Sequence, residues 1–236
     1  MTESPIVSES ALLALPGAVA SPSGGPDAGL PWHYGDPLGE QRAAATSAAV
    51  VDRSTRFVIA IPGDERLSWL HTISSQHIAS LPDGTSAENL SLDANGRVEH
   101  HFVQTDLDGV TWIDTEADRG PDLLAFLKKM VFWAKAEPRD GNELAVLSSS
   151  DPTPAAPPCS PRSGIDALPS EPYAAARPAL RWLRPPHAVA HRALLRPPGA
   201  RRESLTVIFT ALRDAGARPA GSWAFEAVRA KRPSPH

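Results

Sequence analysis

The stretch Gly96-Arg97-Val98-Glu99-His100-His101 puts one carboxylate and two imidazoles side by side. Imidazole titrates near neutral pH and serves as a general base when a rigid element holds it within hydrogen-bond reach of its target. Neighbouring side chains on a strand point to opposite faces, so only one of His100 and His101 enters any one cavity. The same residues equally suit the surface of a plain strand. His71 and His77 are the other imidazoles nearby. Six residues apart on one helix they fall on different faces, whereas zinc sites favour pairs at i and i+4, so no metal site is expected. The single cysteine, Cys159, excludes an intramolecular disulfide and a cysteine-rich metal site. The sequence holds no Gly-x-x-x-x-Gly-Lys-Ser/Thr loop, no Gly-x-Gly-x-x-Gly after a strand and no Gly-x-Ser-x-Gly elbow, and kinase and hydrolase readings fall with them. No catalytic residue is assigned.

These side chains need a frame. Arg56 to Ile61 is β-branched and closed by Pro62-Gly63, a strand. Asp64 suits a helix N-cap, and Leu67, Leu70, Ile73, Ser74, His77, Ile78 and Leu81 recur at spacings of three and four, one face of a helix. Ala87–Leu92 and Arg97–Thr105 read as strands around Asn95-Gly96, a hairpin signal. Gly109–Thr115 alternates Val110, Trp112 and Asp114 against Thr111, Ile113 and Thr115. Gly120-Pro121-Asp122 opens a helix whose stripe is Leu123, Leu127, Met130, Val131 and Ala134, with Lys128, Lys129 and Lys135 off the stripe toward its C-terminus. Asn142–Leu147 is a further strand. Leu205–Phe209 is strand-like, Thr210–Gly216 a short helix, and Ser222–Val228 a strand or helical turn. The order predicts an α+β fold, a mainly antiparallel sheet with packed helices.

Charge divides the chain. Its net −4 is the sum of −11 over residues 1–150 and +7 over 151–236, and 12 of the 25 prolines lie within 151–202 beside eight arginines and no lysine. The expected organisation is a disordered arm over 1–30, rich in Ala, Ser, Pro and Gly, and a folded unit over 31–147. A Pro/Arg-rich linker follows over 148–204, then a continuation of the fold over 205–228 and a tail over 229–236. Out-of-frame GC-rich codons favour Arg, Pro and Ala, so an out-of-frame segment is the alternative to a linker. Glu3 and Glu9 stand where a secretory leader needs positive charge, and no apolar run could span a bilayer, so the expected location is the cytoplasm with no membrane partner.

Val51-Asp52-Arg53-Ser54, Gly63-Asp64-Glu65-Arg66-Leu67-Ser68-Trp69-Leu70-His71 and Asn95-Gly96-Arg97-Val98-Glu99-His100-His101 resemble folate-binding YgfZ-type proteins, relatives of aminomethyltransferase, the T-protein of the glycine cleavage system. Trp32-His33-Tyr34-Gly35-Asp36-Pro37 resembles their actinobacterial leader, and Phe209–Ala217 through Trp223–Ala227 resumes the likeness. The family signature Lys-Gly-Cys-Tyr-x-Gly-Gln-Glu does not occur, and Cys159 lies in an unrelated Pro-Pro-Cys-Ser-Pro context. The expectation is therefore a truncated or impaired copy.

The resemblance implies a ring-like α+β body with a central cavity for tetrahydrofolate or a derivative, and a role in maintaining iron–sulfur enzymes, in some organisms tRNA-modifying ones. T-proteins carry a carboxylate pair where this chain has His100 and His101. The candidate cofactor-binding residues are Glu99, His100 and Trp112, the tryptophan as an aromatic wall for the pterin. The reading is a non-enzymatic folate-binding accessory protein with iron–sulfur proteins as clients. One alternative is a tetrahydrofolate-dependent aminomethyltransferase. A second is an RNA-associated adaptor acting through the basic 151–202 segment, against which stand its dispersed arginines and sparse aromatics.

Overall fold

A computed structural model describes residues 9–150, the backbone of 175–176, 180–183 and 190–195, and residues 201–230 except 215. Two sheets stack between layers of helix. The first sheet has five strands in the order β5-β6-β7-β4-β8: β4 (Phe57–Pro62), β5 (Thr85–Leu92), β6 (Val98–Leu107), β7 (Val110–Thr115) and β8 (Arg139–Asp140), all antiparallel. The second runs β10-β11-β12-β9-β3-β13: β3 (Ala49–Asp52), β9 (Ala145–Ser150), β10 (Ala175–Ala176), β11 (Leu180–Leu183), β12 (Ala190–Leu195) and β13 (Arg218–Ala220). Among the described strands only β13 pairs in parallel, with β3. A two-stranded ribbon joins β1 (Val19–Ala20) to β2 (Pro31–His33). The expected α+β class, mainly antiparallel with packed helices, is what the structure has.

The two periods of the sequence build the core. On β4, Ile59 and Ile61 face outward and pack under α2 (Arg66–Ile73) and α3 (Gly120–Met130) with Leu70, Phe102, Ile113, Leu123 and Leu127. Val58 and Ala60 face inward, where Leu107 and Trp112 meet Leu144 and Val146 between the sheets. Both faces of β4 are dry, which explains its unbroken apolar run. At the hairpin, Gly96 has φ of 78°, and the Asp93 carboxylate accepts from the backbone N–H of Asn95 and Arg97, each at 2.8 Å.

Five expectations are corrected. Residues 9–30 are not a disordered arm: Ser10 Oγ donates to the Asp52 carboxylate, Ser10 N–H donates to Gly29 O at 2.8 Å, and Leu12 is 0 % exposed in a core with Val50, Leu147 and Phe209. Two leucines placed under the second sheet offset the ordering cost that the small residues around them suggested. The segment expected as a linker over 148–204 contains β10, β11 and β12, and β12 pairs with β9 over six residues; the rest of 151–200 lies outside the described residues, as do 1–8 and the tail 231–236. The helix expected to run to Leu81 stops at Ile73 because Ser74 Oγ donates to Leu70 O at 2.6 Å and Asn89 of β5 captures Ser74 Oγ and Gln76 N–H. It is capped by Glu65 rather than Asp64, with no side-chain bond. Leu205–Phe209 is helical, part of α4 (Arg201–Asp214), because Leu205, Phe209 and Leu212 fall on one helical face over the second sheet.

The end of the described chain returns to its beginning. α5 (Ser222–Ala230) packs on α1 (Pro37–Thr46), Arg218 donates to Asp36 at 2.6 Å, and buried Glu40 accepts from Gly221 N–H at 3.0 Å and Tyr34 N–H at 2.8 Å.

Candidate functional site

Register decides which side chains of β6 share a face. Thr105 sits opposite Trp112 and Val103 opposite Asp114, while Gln104 sits opposite Ile113. Alternation then puts His101 on the inner face with Val103 and Trp112, and His100 on the outer face with Phe102 and Gln104. Contacts agree. The His100 ring lies 5.3 Å from that of Phe126 on α3, and its Nδ1 is buried with no hydrogen-bond partner among the described residues. Burial holds the His100 imidazole below its ordinary pKa, against the smaller pull of Glu99 and Asp122.

On the inner face, His101 Nε2 meets Glu88 Oε1 at 2.6 Å, both about half exposed, and the His101 carbonyl accepts from Thr115 Oγ1 at 2.8 Å. Beside them runs a charged strip. Arg56, 6 % exposed, ion-pairs with Asp114 and Glu116 and donates to Asp114 O at 3.2 Å. Arg53 reaches Asp27 at 3.1 Å, Glu226 at 3.7 Å and Glu116 at 3.9 Å, with its guanidinium 4.8 Å from the centre of the Phe225 ring. Burial works against charge on Arg56, but Asp114 and Glu116 outweigh it and raise its pKa. For Glu116, burial raises the pKa and the two arginines bring it below the usual carboxylate value. For Asp27, burial wins over Arg53 and the carboxyl titrates high. The strip ties the N-terminal segment, the β3–β4 turn, β7 and α5 at one end of the sheets.

The three residues named from sequence do not share a pocket. Glu99 is exposed, in the bulge where Ser91 pairs with His100 and Leu92 with Val98. His100 faces α3. Trp112, 6 % exposed, packs between the sheets beneath the inner face. A reduced folate needs acceptors for the N–H groups of its pyrimidinone edge and a flat apolar wall. The partly exposed carboxylates of Glu88 and Glu116 suit the first need; buried Trp112 does not supply the second. The Arg53–Arg56–Asp114–Glu116 strip was missed from the sequence. Its signal was Asp114 in the middle of an apolar strand and two arginines flanking the turn before β4.

A cleft of about 200 Å³ lies between the β1–β2 ribbon and α5, walled by Trp32 and Trp223, with Asp27 and Glu226 on its rim and Ser21 and Ser222 in contact at 3.0 Å. It is smaller than a pocket for a drug-sized ligand. His71 and His77 meet edge to face with ring centres 4.6 Å apart, because α2 ends before His77 and the chain turns back. Among the described residues no group of three or more His, Cys, Asp or Glu could hold a metal ion. No described helix is long and apolar enough to cross a membrane.

No family model matches the chain, and no curated protein matches it. Solved structures do. Glycine cleavage system aminomethyltransferase T from Bartonella henselae is 17 % identical, with a TM-score of 0.76 over 92 % of this chain and 60 % of its own. A chain of the heterotetrameric sarcosine oxidase of Corynebacterium sp. U-96 is 14 % identical over 77 % of this chain and 91 % of its own, at a TM-score of 0.47. This chain therefore spans 60 % of the length of the aminomethyltransferase T it resembles, and at 17 % identity the likeness is one of fold. The mixed α+β body, mainly antiparallel with its helices packed outside two sheets, is of the aminomethyltransferase T kind.

Proposed function

We propose that the chain is a non-enzymatic, folate-binding accessory protein of the YgfZ type, taking tetrahydrofolate or a derivative and serving iron–sulfur enzymes as clients in the cytoplasm. The sequence resemblance of residues 51–101 supports the folate and the client class, and the aminomethyltransferase T fold supports the folate. The observation that carries the non-enzymatic part is the state of the two imidazoles on β6. Where T-proteins carry a carboxylate pair, His100 is turned onto Phe126 and His101 is held by Glu88 at 2.6 Å. Neither is a free carboxylate base. The pyrimidinone edge of the folate would bind at the inner-face strip, with Glu88 and Glu116 as acceptors and exposed Glu99 at its border. Bound folate would supply a one-carbon carrier; this chain's residues would hold and orient it. His100 and Trp112 would act on the ligand only through the strand they brace.

Calorimetric titration of tetrahydrofolate into the full chain tests the first part. Saturable binding that weakens at least tenfold in Glu116→Gln supports the reading, and no heat of binding ends it. A second reading, a tetrahydrofolate-dependent aminomethyltransferase, is favoured by the solved structure the fold resembles. Production of methylenetetrahydrofolate from an aminomethyl-loaded carrier protein would decide for it against the accessory reading. The RNA-adaptor reading rests on residues 151–202, whose side chains lie outside the described structure.

A further inference from the structure

Trp133 is 94 % exposed and Phe132 beside it 72 %. Large aromatics that fully exposed, in adjacent positions, mark a contact surface more often than an ordinary loop. The loop is not loose. Trp69 Nε1–H donates to Met130 O at 2.8 Å and caps the end of α3. Lys135 N–H donates to Glu65 Oε2 at 2.8 Å, Glu65 N–H to Lys135 O at 3.2 Å, and Glu137 N–H to Pro62 O at 3.0 Å. Val131, Ala134 and Ala136 turn inward onto the core under α2 and α3. Phe132 takes a left-handed φ of 46°, uncommon for an aromatic residue, and the two rings go outward, 6.2 Å apart. The inward places are filled, so the pair cannot be explained as core that failed to close.

Charge says what the pair meets. Lys128, Lys129 and Lys135, three of the chain's four lysines, are exposed around it, and none makes an ion pair with a described residue. The partner surface is therefore anionic at its rim and apolar at its centre. It is also small. β-Pairing brings the ends of β4, β5, β6 and β7 together at this edge, where Asp64, Glu65, Asp83 and Asp108 sit in the loops. A flat anionic bilayer or an extended nucleic acid would meet those carboxylates as well as the lysines, whereas a protein surface can set groups of opposite sign against each.

We propose that Phe132 and Trp133 are the anchor of a docking surface for a partner protein that presents an apolar pocket rimmed by Asp and Glu. The test uses the full chain and a fluorescently labelled synthetic helical peptide of glutamate and leucine with a leucine stripe, read by anisotropy. Saturable binding is expected, weakening with added salt, with at least a tenfold loss of affinity in Phe132→Ser/Trp133→Ser and in Lys128→Gln/Lys129→Gln/Lys135→Gln. All the substituted side chains are exposed, so circular dichroism and the melting temperature should stay at wild-type values. Equal binding by the variants, or equal binding of a lysine–leucine peptide, overturns the proposal. So does a Trp133-dependent preference for phosphatidylserine vesicles or oligouridylate, or a Trp133-dependent dimer in sedimentation.

Discussion

Arg56→Met removes the cation at the centre of the strip. Arg56 is 6 % exposed and its main partner, Asp114, 2 %, so the substitution leaves a carboxylate in the dry space beside β7 without its arginine. Removing one member of a buried pair costs about 3–5 kcal/mol. The other partner, Glu116, is 40 % exposed and keeps Arg53 at 3.9 Å, so it adds little and the lower end, about 3 kcal/mol, is the expected loss. That is a large part of the stability of an ordinary domain. Urea unfolding followed by tryptophan fluorescence should show the midpoint fall at unchanged slope. Arg56→Met/Asp114→Leu removes the stranded charge and should recover most of the loss. Acid titration adds a second readout. Arg56 and Arg53, against burial, hold Glu116 below its ordinary value near 4.5, so its contribution is present above that value and disappears as pH falls through the folded one. Arg56→Met should flatten that acid limb. A single variant within about 1 kcal/mol of wild type, or a double variant less stable than the single, refutes the reasoning.

Leu12→Ala should cost about 2–5 kcal/mol in the same urea assay, and no loss would return residues 9–30 to a disordered arm. Tyr34 Oη is buried without a partner among the described residues, and burial, with Asp52 and Glu40 nearby, drives its pKa far up; Tyr34→Phe should raise stability by about 1 kcal/mol, read as a higher melting temperature. Burial keeps the His100 imidazole below its ordinary value of 6.5, so the unfolded chain binds the proton first and wild type loses stability as pH drops through 6.5. His100→Leu, packed on Phe126, should lack that loss in melts between pH 7.5 and 5.

The hairpin, β4 as a strand and the stripe of α3 were all legible, since Asn95-Gly96, an unbroken apolar run and Leu123/Leu127 are local signals. Layer assignment was not. Period two separates His100 from His101 but does not say which layer each meets; that depends on α3 lying over Phe102, a contact across 20 or more residues. Val207-Ile208-Phe209 reads as strand by propensity, and the second sheet overrode it by offering a face to Leu205, Phe209 and Leu212. The strip escaped notice because its members are spread from Asp27 to Glu226, with no spacing to connect them.

The parallel pairing of β13 with β3 sets a schedule for synthesis. Asp36 and Arg218 are 182 residues apart, and Glu40 and Gly221 are 181 apart. A growing chain on the ribosome can fold the five-stranded sheet early, since its strands follow one another closely. α1 and β3 must then wait, with the Glu40 carboxylate and the edge of β3 open to water, until β13 and Gly221, 169 and 181 residues further on, have emerged. During that interval the edge is a pairing surface for any other nascent strand, and a factor that covers it would raise yield without touching the finished protein.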